Sequence, residues 1–171
     1  MELKEAKSIA LKLVSELEPV CERVEIAGSI RRKNSFVNDI EIVCIPKRES
    51  TGLFGGELAP VAGFASVINK YKKIKGDFDG KYTRRDLGEI EVDIFMCSSN
   101  NYGYIMAIRT GPSSFSHKVL AYGWKKKGLV GVEGMLYNRT SGKPIAIREE
   151  RELFRLIGLD YIPPECRVSL G

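Results

Sequence analysis

Val24-Glu25-Ile26-Ala27-Gly28-Ser29-Ile30-Arg31-Arg32-Lys33-Asn34-Ser35-Phe36-Val37-Asn38-Asp39-Ile40-Glu41-Ile42-Val43-Cys44-Ile45 is a pair of short alternating segments joined by a glycine turn. Val24 and Ile26 lead into Gly28-Ser29, where a backbone with little side chain lets a phosphate approach closely. Arg31 and Arg32 follow, and the second segment opens on Asp39-Ile40-Glu41-Ile42. Side chains on a strand alternate, so Ile40, Ile42 and Cys44 point to one face while Asp39 and Glu41 point to the other. Two carboxylates two residues apart on a strand stand about 7 Å apart at Cα, within reach of one hard cation. At neutral pH they repel unless a cation or a basic group lies between them. Taken singly, these features are an ordinary turn and solvated acids. Together they supply the parts of a metal–triphosphate site and point to metal-assisted phosphoryl or nucleotidyl transfer.

Working outward, Leu3, Ala6, Ala10, Leu13 and Leu17 recur at helical spacing and predict an amphipathic helix over 3–17, closed by Pro19. Residues 46–60, rich in Gly, Ser and Thr, read as a mobile surface loop. Val61, Phe64, Ile68 and Tyr71 predict a second helix that ends in Lys72-Lys73. The two helices are expected to cover one face of a sheet, leaving the other to Asp39 and Glu41. Between Lys81 and Met96 the pattern predicts a hairpin turning near Asp86-Leu87-Gly88. Its second strand alternates Ile90, Val92, Ile94 and Met96 with Glu91, Asp93 and Phe95, so a third acid is offered from a second strand. Spacing leaves Glu91 and Asp93 both open for that role.

Composition sets the outer limits. The chain has 171 residues, 43% of them hydrophobic and 29% charged, which is the balance of a folded domain, or a domain with a small appendage. No apolar run approaches the roughly 18 residues needed to span a bilayer, and the N-terminus lacks the apolar core of a signal peptide. Cys21, Cys44, Cys97 and Cys166 are scattered without CxxC spacing, which argues against a zinc site. A cytoplasmic, reduced protein is the expectation. The net charge of +5 makes a polyanion a plausible partner.

Residues 99–171 read as a second, smaller domain. A short helix is expected over 101–109, stopped by Gly111-Pro112. The next helix is capped by Ser113 or Ser114, buries Phe115, Val119 and Tyr122, and ends at Lys125-Lys126-Lys127-Gly128. A hairpin over 136–147 turns at Ser141-Gly142, and a last helix runs over 149–157 to Gly158. Trp124 reads as core, and His117, the single histidine, as an exposed residue. Lys118, Lys125, Lys126 and Lys127 on one helix, with Arg139 and Lys143 near the hairpin, form a basic strip suited to DNA phosphates.

Gly28-Ser29-Ile30-Arg31-Arg32, then Asp39-Ile40-Glu41, then Glu91-Val92-Asp93-Ile94 resembles the palm of a family X DNA polymerase, the group of DNA polymerase beta. Thr110-Gly111-Pro112 resembles that family's Thr-Gly turn, and Leu159-Asp160-Tyr161-Ile162-Pro163-Pro164-Glu165-Cys166-Arg167 resembles its C-terminal ending. The resemblance implies an α+β fold: a nucleotidyltransferase palm over 1–98, with helices on one face of a mixed sheet, then a small α/β C-terminal domain over 99–171 that contacts nucleotide and DNA.

It further implies that Asp39, Glu41 and Asp93 hold two Mg2+ ions, with Mn2+ a possible substitute. Gly28, Ser29 and Arg32 would meet the triphosphate, and Thr110-Gly111 would lie beside the incoming sugar. The implied activity is addition of deoxynucleotides from dNTPs to the 3′ end of a DNA primer-template, in repair or gap filling, by a monomer. The resemblance implies a palm plus one small nucleotide-selecting domain, the minimal plan of some viral polymerases of this family, with a viral or phage origin open. Four departures stand against the family pattern. Glu41 replaces an aspartate, and Glu91 stands where arginine is common. Ile108-Arg109 replaces two aromatics, and Ser116 and Leu120 stand where asparagine and arginine would touch the base and the template minor groove. The rival readings are a nucleotidyltransferase acting on a small molecule, an RNA end or a protein, and a catalytically inactive DNA-binding module.

Overall fold

The apolar stripe of the first helix is realised as α1 (Leu3–Leu17), and Ala6, Ala10, Leu13 and Leu17 along it are at most 1% exposed. Pro19 follows in a single 3-10 turn (Glu18–Val20) that ends the helix. The computed structural model describes residues 1–50, 56 and 58–169. They divide into two compact units, one made of 1–26 and 35–97, the other of 27–34 and 98–171. The segment 27–34, assigned by sequence to a first domain 1–98, groups by its contacts with the second unit. It carries the short helix α2 (Gly28–Arg31).

The first unit is built on a five-stranded mixed sheet in the order β1-β2-β7-β6-β5. Its strands are β1 (Cys21–Ile26), β2 (Ile40–Pro46), β5 (Lys72–Gly76), β6 (Tyr82–Asp86) and β7 (Glu91–Met96). β2 pairs antiparallel with β1 and parallel with β7, while β6 is antiparallel to both β7 and β5. β2 and β7 are the central pair, and their burial goes further than alternation predicts. Val43, on the Glu41 face of β2, and Phe95, on the Asp93 face of β7, are buried along with Ile40, Ile42, Val92 and Ile94. Acids therefore occupy only the N-terminal ends of these two strands.

Two expectations are corrected here. Part of the segment read as a loop over 46–60 is a two-stranded ladder, β3 (Arg48–Ser50) against β4 (Leu58–Pro60), with Arg48 opposite Pro60 and Ser50 opposite Leu58. The rest of that reading, 51–55 and 57, lies outside the described residues. The second helix, α3 (Ala62–Ile68), stops early, and Lys72-Lys73 opens edge strand β5 instead of closing a helix. Lysines at exposed positions suit a sheet edge, because they resist pairing with another strand.

Besides α2, the second unit packs three helices and a small sheet among the described residues. α4 (Tyr102–Thr110) is followed by a helical stretch over 113–126, called α5 here, and by α6 (Glu150–Ile157). Strands β8 (Leu129–Val132), β9 (Met135–Asn138) and β10 (Pro144–Ile145) pair antiparallel in the order β10-β9-β8. Tyr104, Ala107, Phe115, Leu120, Trp124, Leu129, Leu136, Leu153, Phe154 and Ile157 form the core, so Trp124 is buried as expected. Glu149 and Glu152 close a reciprocal capping box on α6, and Gly158 ends it at φ +80°.

α5 differs from its prediction in phase. Its middle, Ser116–Ala121, is a π-helical segment. The wider turn rotates all that follows, so Leu120 and Trp124 are buried, Val119 is only half-buried and Tyr122 is 59% exposed. Neither Ser113 nor Ser114 caps the helix with its side chain. α5 does end at the lysine run, with Gly128 at φ +72°.

Candidate active site

Parallel pairing sets Glu41 of β2 directly beside Asp93 of β7, and Asp39 lies one residue before β2. In-register residues on neighbouring strands point to the same face about 4.8 Å apart, so Glu41 and Asp93 share that face by construction of the sheet. Asp93 is buried, at 9% exposure, and its Oδ1 accepts a 2.7 Å hydrogen bond from the Tyr82 hydroxyl. Tyr82 is itself held by its ring against Phe95, centroids 5.2 Å apart.

The basic group that two close acids require is present. Arg84 on β6 stands opposite Asp93 in the antiparallel register. Its Nη1 lies 3.5 Å from Asp93 Oδ2, its Nη2 is 3.4 Å from Asp39 Oδ2, and its Nε donates to Glu91 Oε2 at 2.7 Å. Three carboxylates thus share one guanidinium. Burial pushes the Asp39 carboxyl above its ordinary range, the negative charge of Asp93 adds to that, and Arg84 offsets only part of it. Burial disfavours the charged form of Arg84, but Asp93, Glu91 and Asp39 together hold its pKa above the usual arginine value.

Among the described residues, no three His, Cys, Asp or Glu side chains are gathered as a metal-holding group. Arg84 bridges Asp39 and Asp93 where such a group would form. By chemistry the donor set fits a hard cation: oxygen ligands only, from two adjacent strands, with more negative charge than Arg84 neutralises. Glu91 reaches out to Arg84 and is exposed, whereas Asp93 is drawn inward.

The nucleotide-site expectations fall in the second unit. Gly28 has φ +61°, a conformation that favours glycine, and opens α2. Ser29 Oγ is buried with no hydrogen-bond partner among the described residues, which is unusual for a native hydroxyl. Arg32 Nη1 donates to the carbonyl oxygen of Thr110, and a Cβ on Gly111 (φ +58°) would lie 3.3 Å from that same nitrogen. Arg32, Thr110 and Gly111 are thereby brought together.

Arg31, which has no separate role in the sequence pattern, is part of a largely buried network. It donates to Thr110 Oγ1 at 2.6 Å and to Glu150, whose other oxygen receives Arg167 Nη1 at 2.9 Å. Burial alone would raise the Glu150 carboxyl, but its hydrogen bond from Arg31 and the charges of Arg167 and Arg31 hold it below its ordinary range.

Of the basic strip, Lys118, Lys125, Lys126, Lys127, Arg139 and Lys143 are all exposed. Arg139 N donates to Gly128 O at 2.9 Å, so the hairpin end adjoins the lysine-bearing end of α5. Lys126 lies over the exposed Tyr122 ring, 5.5 Å from its centroid. His117 is exposed, as expected. Ser116 and Leu120 are buried, with Ser116 Oγ donating to Ile108 O at 2.9 Å and Leu120 fully enclosed.

A family model described as DNA polymerase beta thumb matches residues 106–168, from the middle of α4 past Arg167. The Thr-Gly turn, the lysine run and the C-terminal ending all fall inside that match. Over that stretch the chain is similar to the thumb of DNA polymerase beta, in agreement with its resemblance to family X. A DNA nucleotidylexotransferase of Ambystoma mexicanum is 26% identical over 101 residues, covering 56% of this chain and 20% of that protein. One of Bos taurus is 29% identical over 75 residues, covering 44% and 15%. The aligned part of the chain spans a fifth or less of the length of these relatives. The mixed α+β architecture agrees with a nucleotidyltransferase fold of this family. No helix among the described residues is long and apolar enough to cross a membrane.

Proposed function

We propose that this chain is a metal-dependent DNA nucleotidyltransferase that adds deoxynucleotides from dNTPs to a DNA 3′ end. The observation that carries the reading is the in-register pair Glu41–Asp93 on adjacent parallel strands, with Asp39 joined to Asp93 through Arg84. Asp39, Glu41 and Asp93 would hold two Mg2+ ions, and Mn2+ could replace them. Bound cations of this kind lower the pKa of an attacking hydroxyl and neutralise charge on a leaving pyrophosphate. Tyr82 orients Asp93 for that task through the hydroxyl it donates. Ser29, with its unpartnered hydroxyl, and Arg32, with its planar fork, are assigned to the triphosphate. Thr110-Gly111 is assigned to the sugar, its position fixed by Arg31 and Arg32. The exposed lysines of α5, with Arg139 and Lys143, are assigned to DNA phosphates.

The test is extension of a labelled primer by each dNTP with Mg2+ or Mn2+, for wild type and Asp93→Asn. Wild type extends the primer, and the variant loses several orders of magnitude of rate while keeping its fold. A wild type that extends nothing with either ion, or an Asp93→Asn variant that keeps most activity, sinks the assignment. Addition without a strict template is a second reading of the same site. It is supported by the likeness to two DNA nucleotidylexotransferases and by the enclosure of Leu120, which stands where the resemblance puts an arginine facing the template. Running the assay with and without template separates the two.

A further inference from the structure

We propose that Arg84 is an exchangeable counter-ion: it bridges Asp39 and Asp93 and withdraws onto Glu91 when a divalent cation enters. The inference rests on the metal-site reading above and concerns residues of the first unit only.

The three contacts of Arg84 are unequal. Nε to Glu91 is 2.7 Å, a full-strength charge-assisted hydrogen bond, whereas Nη2 to Asp39 is 3.4 Å and Nη1 to Asp93 is 3.5 Å. The guanidinium is therefore anchored through Nε and only leans on the two acids through its fork. A divalent cation binding Asp39 and Asp93 would take over the two long contacts and leave the short one intact. Strand geometry allows this without backbone movement. Arg84 is fixed opposite Asp93, and Asp86, two residues on, is opposite Glu91, so Glu91 lies along the strand and to the side of the acid pair. The Arg84 side chain is 29% exposed and Glu91 is 47% exposed, so the withdrawn pair sits in solvent and no charge is stranded. Asp93 has its second oxygen on Tyr82, so release by Arg84 does not free it to rotate away.

The exchange makes a prediction that a mere background charge does not. Arg84→Met removes both the competitor and a positive charge. Arg84→Lys keeps the charge but loses the planar fork that reaches Asp39 and Asp93 while bonded to Glu91. The experiment is titration of MnCl2 alone into nucleotide-free protein, followed by calorimetry, for wild type, both variants and Glu91→Gln. Arg84→Met is expected to bind Mn2+ about thirty-fold more tightly, since the water-screened effect of one unit charge about 4 Å away doubles for a divalent ion. Arg84→Lys keeps that charge and is expected to tighten binding by a smaller but measurable factor, because only the fork is lost. Glu91→Gln is expected to weaken it, because Arg84 then has no other anchor. Circular dichroism confirms that each variant is folded. An Arg84→Lys variant that matches wild type shows a field effect only and overturns the exchange, as does unchanged or weakened binding in folded Arg84→Met. A wild type that binds no Mn2+ with or without dNTP overturns the metal-site reading itself, which distinguishes the two failures.

Discussion

Replacing Glu150 by Gln should be the most damaging isosteric change in the second unit. Glu150 accepts from Arg31 and Arg167, and its side chain is 9% exposed. Arg167 is 0% exposed and Arg31 20%, so Gln leaves one guanidinium in the interior without a countercharge and another only partly solvated. Removing one partner of a buried pair costs about 3–5 kcal/mol; the amide keeps one acceptor and Arg31 keeps some water, so we expect about 3 kcal/mol. Trp124 is the sole tryptophan and lies in that unit's core, so its fluorescence during urea unfolding reads the second unit alone. The cost should also depend on pH with a definite sign. Glu150 is held below its ordinary value of 4.5 when folded, so its contribution is complete above that value and is lost as pH falls through the folded pKa. The gap between wild type and Glu150→Gln must therefore narrow in acid. A cost under about 1 kcal/mol at neutral pH, or a gap that stays constant down to pH about 3, would refute the claim that this carboxylate neutralises one buried and one half-buried cation.

Other changes test other parts of the molecule. Leu120→Ala should cost about 2–5 kcal/mol by the same fluorescence measurement, and Leu120→Arg more, since it puts a charge in a fully enclosed position. An Arg there that folds normally and tightens template binding would show the π-helical phase to be wrong. Gly103→Ala should destabilise the second unit, because the new Cβ would fall 2.3 Å from the backbone carbon of Glu149; an unchanged urea midpoint contradicts it. Arg32→Ala should weaken nucleotide binding by about 1.5–3 kcal/mol in a fluorescent-dNTP titration while changing DNA affinity much less. Changing Lys125, Lys126 and Lys127 together to Ala should flatten the log–log salt dependence of DNA affinity by about one or two units, read by anisotropy; coincident slopes would put the DNA elsewhere.

Much of the first unit was legible because its signal is local. α1, β2, β7 and the hairpin follow from apolar spacing and from one turn, Asp86-Leu87-Gly88. Even Arg84 lay within reach of that reasoning: with Asp86 opposite Glu91, antiparallel pairing puts Arg84 opposite Asp93. Glu91 stands where arginine is common, and its partner Arg84 lies on the neighbouring strand, beyond the reach of a single-strand pattern. β5 was missed because lysines end helices as readily as they guard sheet edges. The phase of α5 was not legible. A single wide turn in Ser116–Ala121 has no residue signature here, and it moved burial from Tyr122 to Trp124. The ties of Arg31 to Glu150 and of Glu150 to Arg167 span 119 and 17 residues, distances over which a pattern carries no information.

The division of the chain has a consequence for inheritance and engineering. The polypeptide leaves the first unit after Ile26, returns at Ser35, and leaves again after Cys97. No single cut or crossover therefore separates the two units. A recombination event near residue 98 would carry α2 into a foreign setting while leaving Thr110, which Arg31 and Arg32 hold, behind. A chimera that keeps its ties must exchange 27–34 together with 98–171, as a two-piece graft. The two halves can diverge in sequence, but they can be traded only as a matched set.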